Sequence, residues 1–403
     1  MTLPLMLVQQ CGFKGERMKR IYLDHASSMP VDPRVFAYAK TYLTDTFGNP
    51  SSLYSAGQET KNAIEDSRRK IANFINAEQE KSIVFTGSAT ESNNLAIRGT
   101  ALRNSRDGKE VLASAIEHIS VINPMKDLQK NGFTFTMIPV DHKGVVNLEA
   151  LQKLVHKHTV VTSVMLANNE IGTIQPIKKI SDIVHENGQF LHVDATAAAG
   201  RIPIDVQAQG IDLLTLSSND FYGPRGAGTL YIKPGVKIQS VLPGGGQERG
   251  LRSGTENVFA IVGMGEAATI AHKEMAKESS RLQNMRDSLI NGILSINEAY
   301  LTGHPNQRLP HHASFRFSHI EGESILLNMD MQGIQIATGS ACSSKTLEPS
   351  HVLLAIGLKH EEAHGSMVIT LGRSNKKNQV PEVIQSVKET VERLRSLSPL
   401  VKK

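Results

Sequence analysis

Short, mostly apolar runs recur along the chain, and most of them end in small or polar residues. They fall at 83–85, 111–115, 160–166, 190–193, 213–216, 229–232 and 313–317. Runs this short, bounded by Gly, Ser, Thr or Asn, read as buried strands. Between them lie stretches with apolar residues at helical spacing. Ile64, Ile71 and Ile75 mark one helix. Residues 178–187 predict a second, capped by Gly188, and 277–296 a long amphipathic one. A helix is also expected from Glu91, another near Ser350, and a last one over 380–397. Upstream, Ile21 opens a short strand, followed by turns at Pro30 and Pro33. Alternating strands and helices predict an α/β fold.

At 403 residues the chain exceeds one compact core, so two domains are expected. The pattern changes near residue 277. This predicts a large domain over 30–276 and a small one that joins 18–29 to 277–403. Hydrophobic content of 40% with 21% charged residues is ordinary for a globular enzyme. The net charge of +5 is mild, and no basic stripe with interleaved aromatics accompanies it, so nucleic acid is not an expected partner. No run is long and apolar enough to span a bilayer. Two cysteines exclude a disulfide framework and predict a reducing, cytoplasmic compartment. Residues 1–17 lack the basic flank of a secretory signal. They are expected to be a disordered extension, or to precede a start at Met18, and Cys11 within them is given no role.

The strand ends carry the candidate chemistry, because ligands of α/β proteins sit at the carboxyl ends of strands. Residues 86–90 form a small-residue loop that opens a helix. Free N–H groups and the helix dipole favour an anion there, although a plain N-cap reads equally well. His118 follows the strand at 111–115. Asp194 ends the strand at 190–193, and a buried carboxylate there needs a partner. Ser217, Asn219 and Asp220 follow the strand at 213–216, ahead of the turn Tyr222-Gly223-Pro224-Arg225-Gly226. The glycines of 244–257 permit close approach to a ligand or another subunit. Cys342, between Ser340-Ala341 and Ser343-Ser344, suits a mobile, exposed and reactive thiol.

Taken in order over about residues 20–400, these motifs resemble those of the IscS/NifS cysteine desulfurases of the class V aminotransferase family. The matching segments are the SATESNN loop, Glu117-His118, Asn168-Asn169-Glu170-Ile171-Gly172, Asp194, the stretch 217–226, GGGQERGLRSGTEN and SACSSKTLEPSHVL. The resemblance implies a fold-type-I transferase dependent on pyridoxal 5'-phosphate, with a mostly parallel seven-stranded sheet, helices on both faces, and a smaller α+β domain. It implies that Ala89, Thr90 and Ser217 cradle the phosphate. His118 stacks over the ring and exchanges protons. Asn169 bonds the ring oxygen and Asp194 the ring nitrogen. Thr255 reaches the phosphate of the other subunit in a homodimer. Cys342 is the nucleophile that takes sulfur from L-cysteine as a persulfide.

Four departures concern substrate activation. Asp220 stands where the family has the lysine of the Schiff base, resembling archaeal IscS variants, and a carboxylate forms no imine. Asn219 replaces the preceding histidine, Ala197 a glutamine, and Val368 the arginine that clamps the substrate carboxylate. Cofactor, if bound, is therefore expected to be held noncovalently or as a substrate aldimine, and unaided turnover to be low. The expected role is a homologue in iron–sulfur cluster assembly that supplies or carries sulfur on Cys342. Cys342 is also a candidate ligand of a [2Fe–2S] cluster shared with an IscU-type scaffold, since thiolates are the standard cluster ligands. The alternatives are a related lyase of the selenocysteine lyase type, a non-catalytic docking protein, and new chemistry at Asp220. The helix at 380–397 and the tail Val401-Lys402-Lys403 lie where the family docks its scaffold.

Overall fold

The computed structural model describes residues 20–339 and 349–397. The expected extension, Cys11, Met18, the Cys342 segment and the basic tail lie outside the described residues. In chain order, β1 (Ile21–Tyr22) is followed by α1 (Pro33–Ala39) and α2 (Ser55–Phe74). Then come β2 (Ile83–Thr86), α3 (Ala89–Arg103), β3 (Glu110–Ser114), α4 (Ile119–Leu128), β4 (Thr134–Ile138), α5 (Leu148–Leu154), β5 (Thr159–Ser163), α6 (Ile177–Glu186), β6 (Phe190–Asp194), β7 (Leu213–Ser217) and β8 (Gly228–Ile232). The long α7 (Val258–Leu294) leads to β9 (Ala299–Leu301), β10 (His312–Phe317), α8 (Gly322–Met331), β11 (Ile334–Gln335), α9 (His351–Ala355), α10 (His360–His364), β12 (Ser366–Thr370) and α11 (Val380–Leu397).

The main sheet has the order β2-β8-β7-β6-β5-β3-β4. Strands β3 to β7 are parallel, and β8 alone runs antiparallel, against both β2 and β7. The expected seven-stranded, mostly parallel sheet is therefore present. Its strands read as continuous apolar runs because both faces are covered. Alternation along β3 makes this concrete. Leu112 joins the core shared with α2, α6 and α7, whereas Val111 and Ala113 join that of α3 and α4.

A further core, the second that α7 serves, lies against a three-stranded antiparallel sheet of order β12-β10-β9. β1 pairs in parallel with β11, so the first strand packs with C-terminal elements. The helix expected over 277–296 begins much earlier, at Val258. Small residues hid its first half: Gly263, Gly265, Ala267, Ala268 and Ala271 are buried where α7 packs closely, and they break the amphipathic signature. A Cβ at Gly263 would come within 2.5 Å of Pro224. At 37 residues α7 spans about 55 Å. It passes unbroken through residue 277, and Ala260 to Ala271 serve the first core while Leu282 to Ile293 serve the second.

Candidate active site

Five parallel-running strands deliver their following residues to one edge of the main sheet, and a cleft opens there. It holds about 820 Å³ including its open mouth. The lining includes Ala89 and Thr90 after β2, His118 and Ser120 after β3, Asn169 after β5, Asp194, Thr196 and Ala197 at the end of β6, and Asp220 after β7. The helix expected from Glu91 starts at Ala89, so Thr90 belongs to its first turn. Ser88 caps α3 by accepting from the Glu91 N–H. The N–H groups of Ala89 and Thr90 precede the first intrahelical bond and stand at the positive end of a 15-residue helix.

Asp194 is held from two sides. Its Oδ1 accepts from the Thr196 N–H at 3.0 Å and its Oδ2 from Asn93 Nδ2 at 2.8 Å. The same Asn93 amide reaches Ser120 Oγ at 2.8 Å, and that hydroxyl lies 2.7 Å from His118 Nδ1. The Ser120 N–H also donates to His118 Nδ1 at 3.1 Å. Nδ1 is thereby an acceptor, and in the neutral ring Nε2 carries the proton. Behind His118, burial pushes the carboxyl of Glu117 up to about 8, although the Ser114 hydroxyl and the Met165 N–H both bond it.

Asp220 sits in a single helical turn, Ser218–Phe221, that follows β7 directly. The turn ends at Tyr222, whose φ of 69° is left-handed. The Gly223 N–H closes back on the Ser218 carbonyl at 2.9 Å, and a Cβ at Gly223 would lie 2.2 Å from Ser218 Oγ. Glycine is required there. Phe221 anchors the turn against Phe74, with ring centroids 5.5 Å apart. Ser217 Oγ donates to Asn219 Oδ1 at 2.8 Å, and Asn219 Nδ2 donates to Asp220 Oδ2 at 3.0 Å. Ser217 and Asn219, expected to touch cofactor, are not among the lining residues and form a relay to the carboxylate of Asp220. Burial pushes that carboxyl up to about 7. The Asp194 charge adds to the shift, while the Ser217 hydroxyl and the Arg201 guanidinium oppose it.

Another part of the lining escaped the sequence reading. It is made by His25, after β1, and by Leu309, His311 and His312 at the start of β10. Burial and the Arg201 charge push His25 down to about 4. Burial takes His312 to about 3, and His311 is also well below the usual imidazole range. These rings are neutral. Both nitrogens of His25, Nδ1 of His311 and Oγ1 of Thr196 are buried without a hydrogen-bond partner among the described residues. The adjacent pair His311-His312 directly ahead of a strand was the available signal, as was His25 just after one. For Asn93 it was the spacing of one helical turn from Thr90.

Thr255 lies apart, in a second crevice with Gly87, Gly226, Arg252 and Asn257. Ala197, where the resemblance led a glutamine to be expected, does line the cleft. Val368 is buried in β12, paired with Ser314 of β10. The unpartnered polar atoms, the helix N-terminus, the carboxylate of Asp194 and the imidazole of His118 together fit a flat, phosphorylated, nitrogen-containing ring. No group of three or more His, Cys, Asp or Glu able to hold a metal occurs among the described residues. None of their helices is long and apolar enough to cross a membrane.

Residues 21–383 match the sequence profile of the family described as aminotransferase class-V. The chain is 55% identical over 383 residues to cysteine desulfurase IscS 1 of Archaeoglobus fulgidus, covering 95% of this chain and 100% of that protein. It is 46% identical over 402 residues to cysteine desulfurase IscS of Methanosarcina thermophila, covering 99% of each. Among solved structures, a NifS-like protein superposes with a TM-score of 0.87 at 34% identity, covering 93% of this chain and 100% of the other. The chain therefore belongs to the class-V aminotransferase family, among the homologues of the IscS cysteine desulfurases.

Proposed function

We propose that this chain serves iron–sulfur cluster assembly chiefly as a sulfur carrier, with low desulfurase turnover of its own. The observation that carries this reading is Asp220, a half-buried residue that lines the cleft at the position where the family's lysine is expected. In this reading Ala89 and Thr90 hold the cofactor phosphate with the N-terminus of α3. His118 would meet the ring and, with Nδ1 accepting from the Ser120 N–H, would hold a proton on Nε2. Asp194, steadied by Asn93 and the Thr196 N–H, accepts from the ring nitrogen, and Asn169 bonds the ring oxygen. Ser217 and Asn219 contribute through the turn that carries Asp220. Thr255 serves the cofactor of a second copy in a homodimer. When bound, pyridoxal 5'-phosphate supplies an electron-withdrawing ring. Without a lysine it is held noncovalently.

The substrate class is L-cysteine, as the names of the relatives indicate. Cys342 accepts the sulfur as a persulfide and passes it to an IscU-type scaffold, where its thiolate also ligates a nascent [2Fe–2S] cluster. The test is alanine release from L-cysteine by the purified chain, together with the mass of the Cys342 peptide. Loss of a positioned proton-transfer group alone lowers the rate roughly 10²–10⁴-fold, so alanine release should fall at least that far below lysine-bearing relatives. Brisk release refutes the reading. Spectra of the chain copurified with its scaffold, with and without Cys342→Ser, test ligation: an unchanged cluster counts against it.

A further inference from the structure

We propose that Asp220 makes the cleft selective for the aminated cofactor, so that it holds pyridoxamine 5'-phosphate in preference to pyridoxal 5'-phosphate. This rests on the cofactor reading above and concerns which form of the cofactor the cleft takes. The lysine that Asp220 replaces addresses the carbon that bears the aldehyde. A carboxylate cannot condense with that aldehyde, and it also repels it, since the aldehyde oxygen and both carboxylate oxygens are acceptors. An aminomethyl group at the same carbon is an ammonium at neutral pH and brings three donors. Facing Asp220 it forms a charge-assisted hydrogen bond, stronger than a neutral one.

The rest of the lining favours the same form. The cleft presents two carboxylates, Asp194 and Asp220, and among its described lining residues there is no lysine or arginine. His25, His311 and His312 are held neutral by burial and nearby arginine charge. Arg201, the cation that acts on Asp220, does not line the cleft. A ligand ammonium therefore meets negative charge and neutral imidazole there. The relay from Ser217 through Asn219 holds Asp220 Oδ2, which fixes the carboxylate before a ligand arrives. Burial makes an unpaired carboxylate costly, and a cationic ligand relieves that cost. The aldehyde relieves none of it.

The experiment is calorimetric titration of the full-length, ligand-free chain at about pH 8, above the value of about 7 to which burial raises the Asp220 carboxyl. Three probes are used: pyridoxamine 5'-phosphate, pyridoxal 5'-phosphate, and 4-deoxypyridoxine 5'-phosphate, which carries a methyl group in place of the aminomethyl. The amine should bind at least about tenfold tighter than either other probe. In Asp220→Asn, which keeps the size and relay of the side chain, the preference should fall below about threefold. Melting curves confirm that the variant is folded. Asp194→Asn should weaken all three probes alike. Equal affinities, tighter binding of the aldehyde, or a preference that survives Asp220→Asn would overturn the inference and leave the cradle standing. Binding of none of the three would overturn the cofactor reading as well.

Discussion

Asn93 Nδ2 donates at 2.8 Å both to Asp194 Oδ2 and to Ser120 Oγ, so one buried amide ties α3, the end of β6 and the start of α4 into one unit. Asn93→Ala leaves Asp194 with only the Thr196 N–H among these two donors and opens a void in a fully buried position. An unsatisfied buried polar group costs about 1–3 kcal/mol. The variant should melt at lower temperature and bind cofactor roughly tenfold more weakly, measured by thermal scanning and calorimetric titration. Asn93→Asp should be worse, because it sets a second carboxylate against Asp194.

Asp220 gives the ligand-free protein a pH dependence of definite sign. Its carboxyl is raised from 3.8 to about 7, so folding favours the neutral form. The contribution to stability is complete below the unfolded value and is lost as pH rises through about 7. Asp220→Asn should match the parent at about pH 4 and exceed it at about pH 8, by up to a few kcal/mol at about 1.4 kcal/mol per pKa unit. Urea unfolding at several pH values measures this. Glu117 and Glu170 are shifted in the same direction and remain in both proteins, so the difference isolates Asp220.

Asp220→Lys should capture pyridoxal 5'-phosphate covalently, seen as a mass increase after borohydride reduction. Alanine release should remain far below that of lysine-bearing relatives, because Val368 stands in β12 where the arginine is expected. If the single substitution restores full release, the clamp position carries less than this account gives it.

Arg68 and Glu248 form a buried ion pair that fastens the glycine-rich loop before α7. Arg68 Nη1 and Nη2 each donate to the Glu248 carboxylate at 2.8 Å, and that carboxylate also accepts from the Phe85 N–H at 2.9 Å. Glu248 and Arg249 both have positive φ, at 47° and 58°, so the loop is held in a strained turn. Removing one partner of a buried pair costs about 3–5 kcal/mol. Arg68→Ala should lose about that much in chemical denaturation. It should also raise protease cutting near Thr255, which shares a crevice with Glu248.

Much of the site was legible because its residues follow strands. The local pattern located the ends of β3, β6 and β7 to within a residue or so, and with them His118, Asp194 and Asp220. Ala89 and Thr90 were legible as a helix start even though the boundary was placed late. The buried first half of α7 was not, because tight packing selects small residues there and erases the polar face that periodicity needs.

By itself the sequence determined the alternation of strands and helices, the chemical character of each strand end, and the carboxyl at position 220. All of these are local, set by side-chain period and residue identity over a few positions. The tertiary structure alone decided what those ends meet. It brought His25 from beyond the first strand and His311 and His312 from the start of β10 to the cleft that Asp220 lines, turned Ser217 and Asn219 into a relay, and joined Asn93 to Asp194. Partners that lie far apart in sequence are chosen by how the cores pack together, and no short-range pattern encodes that packing.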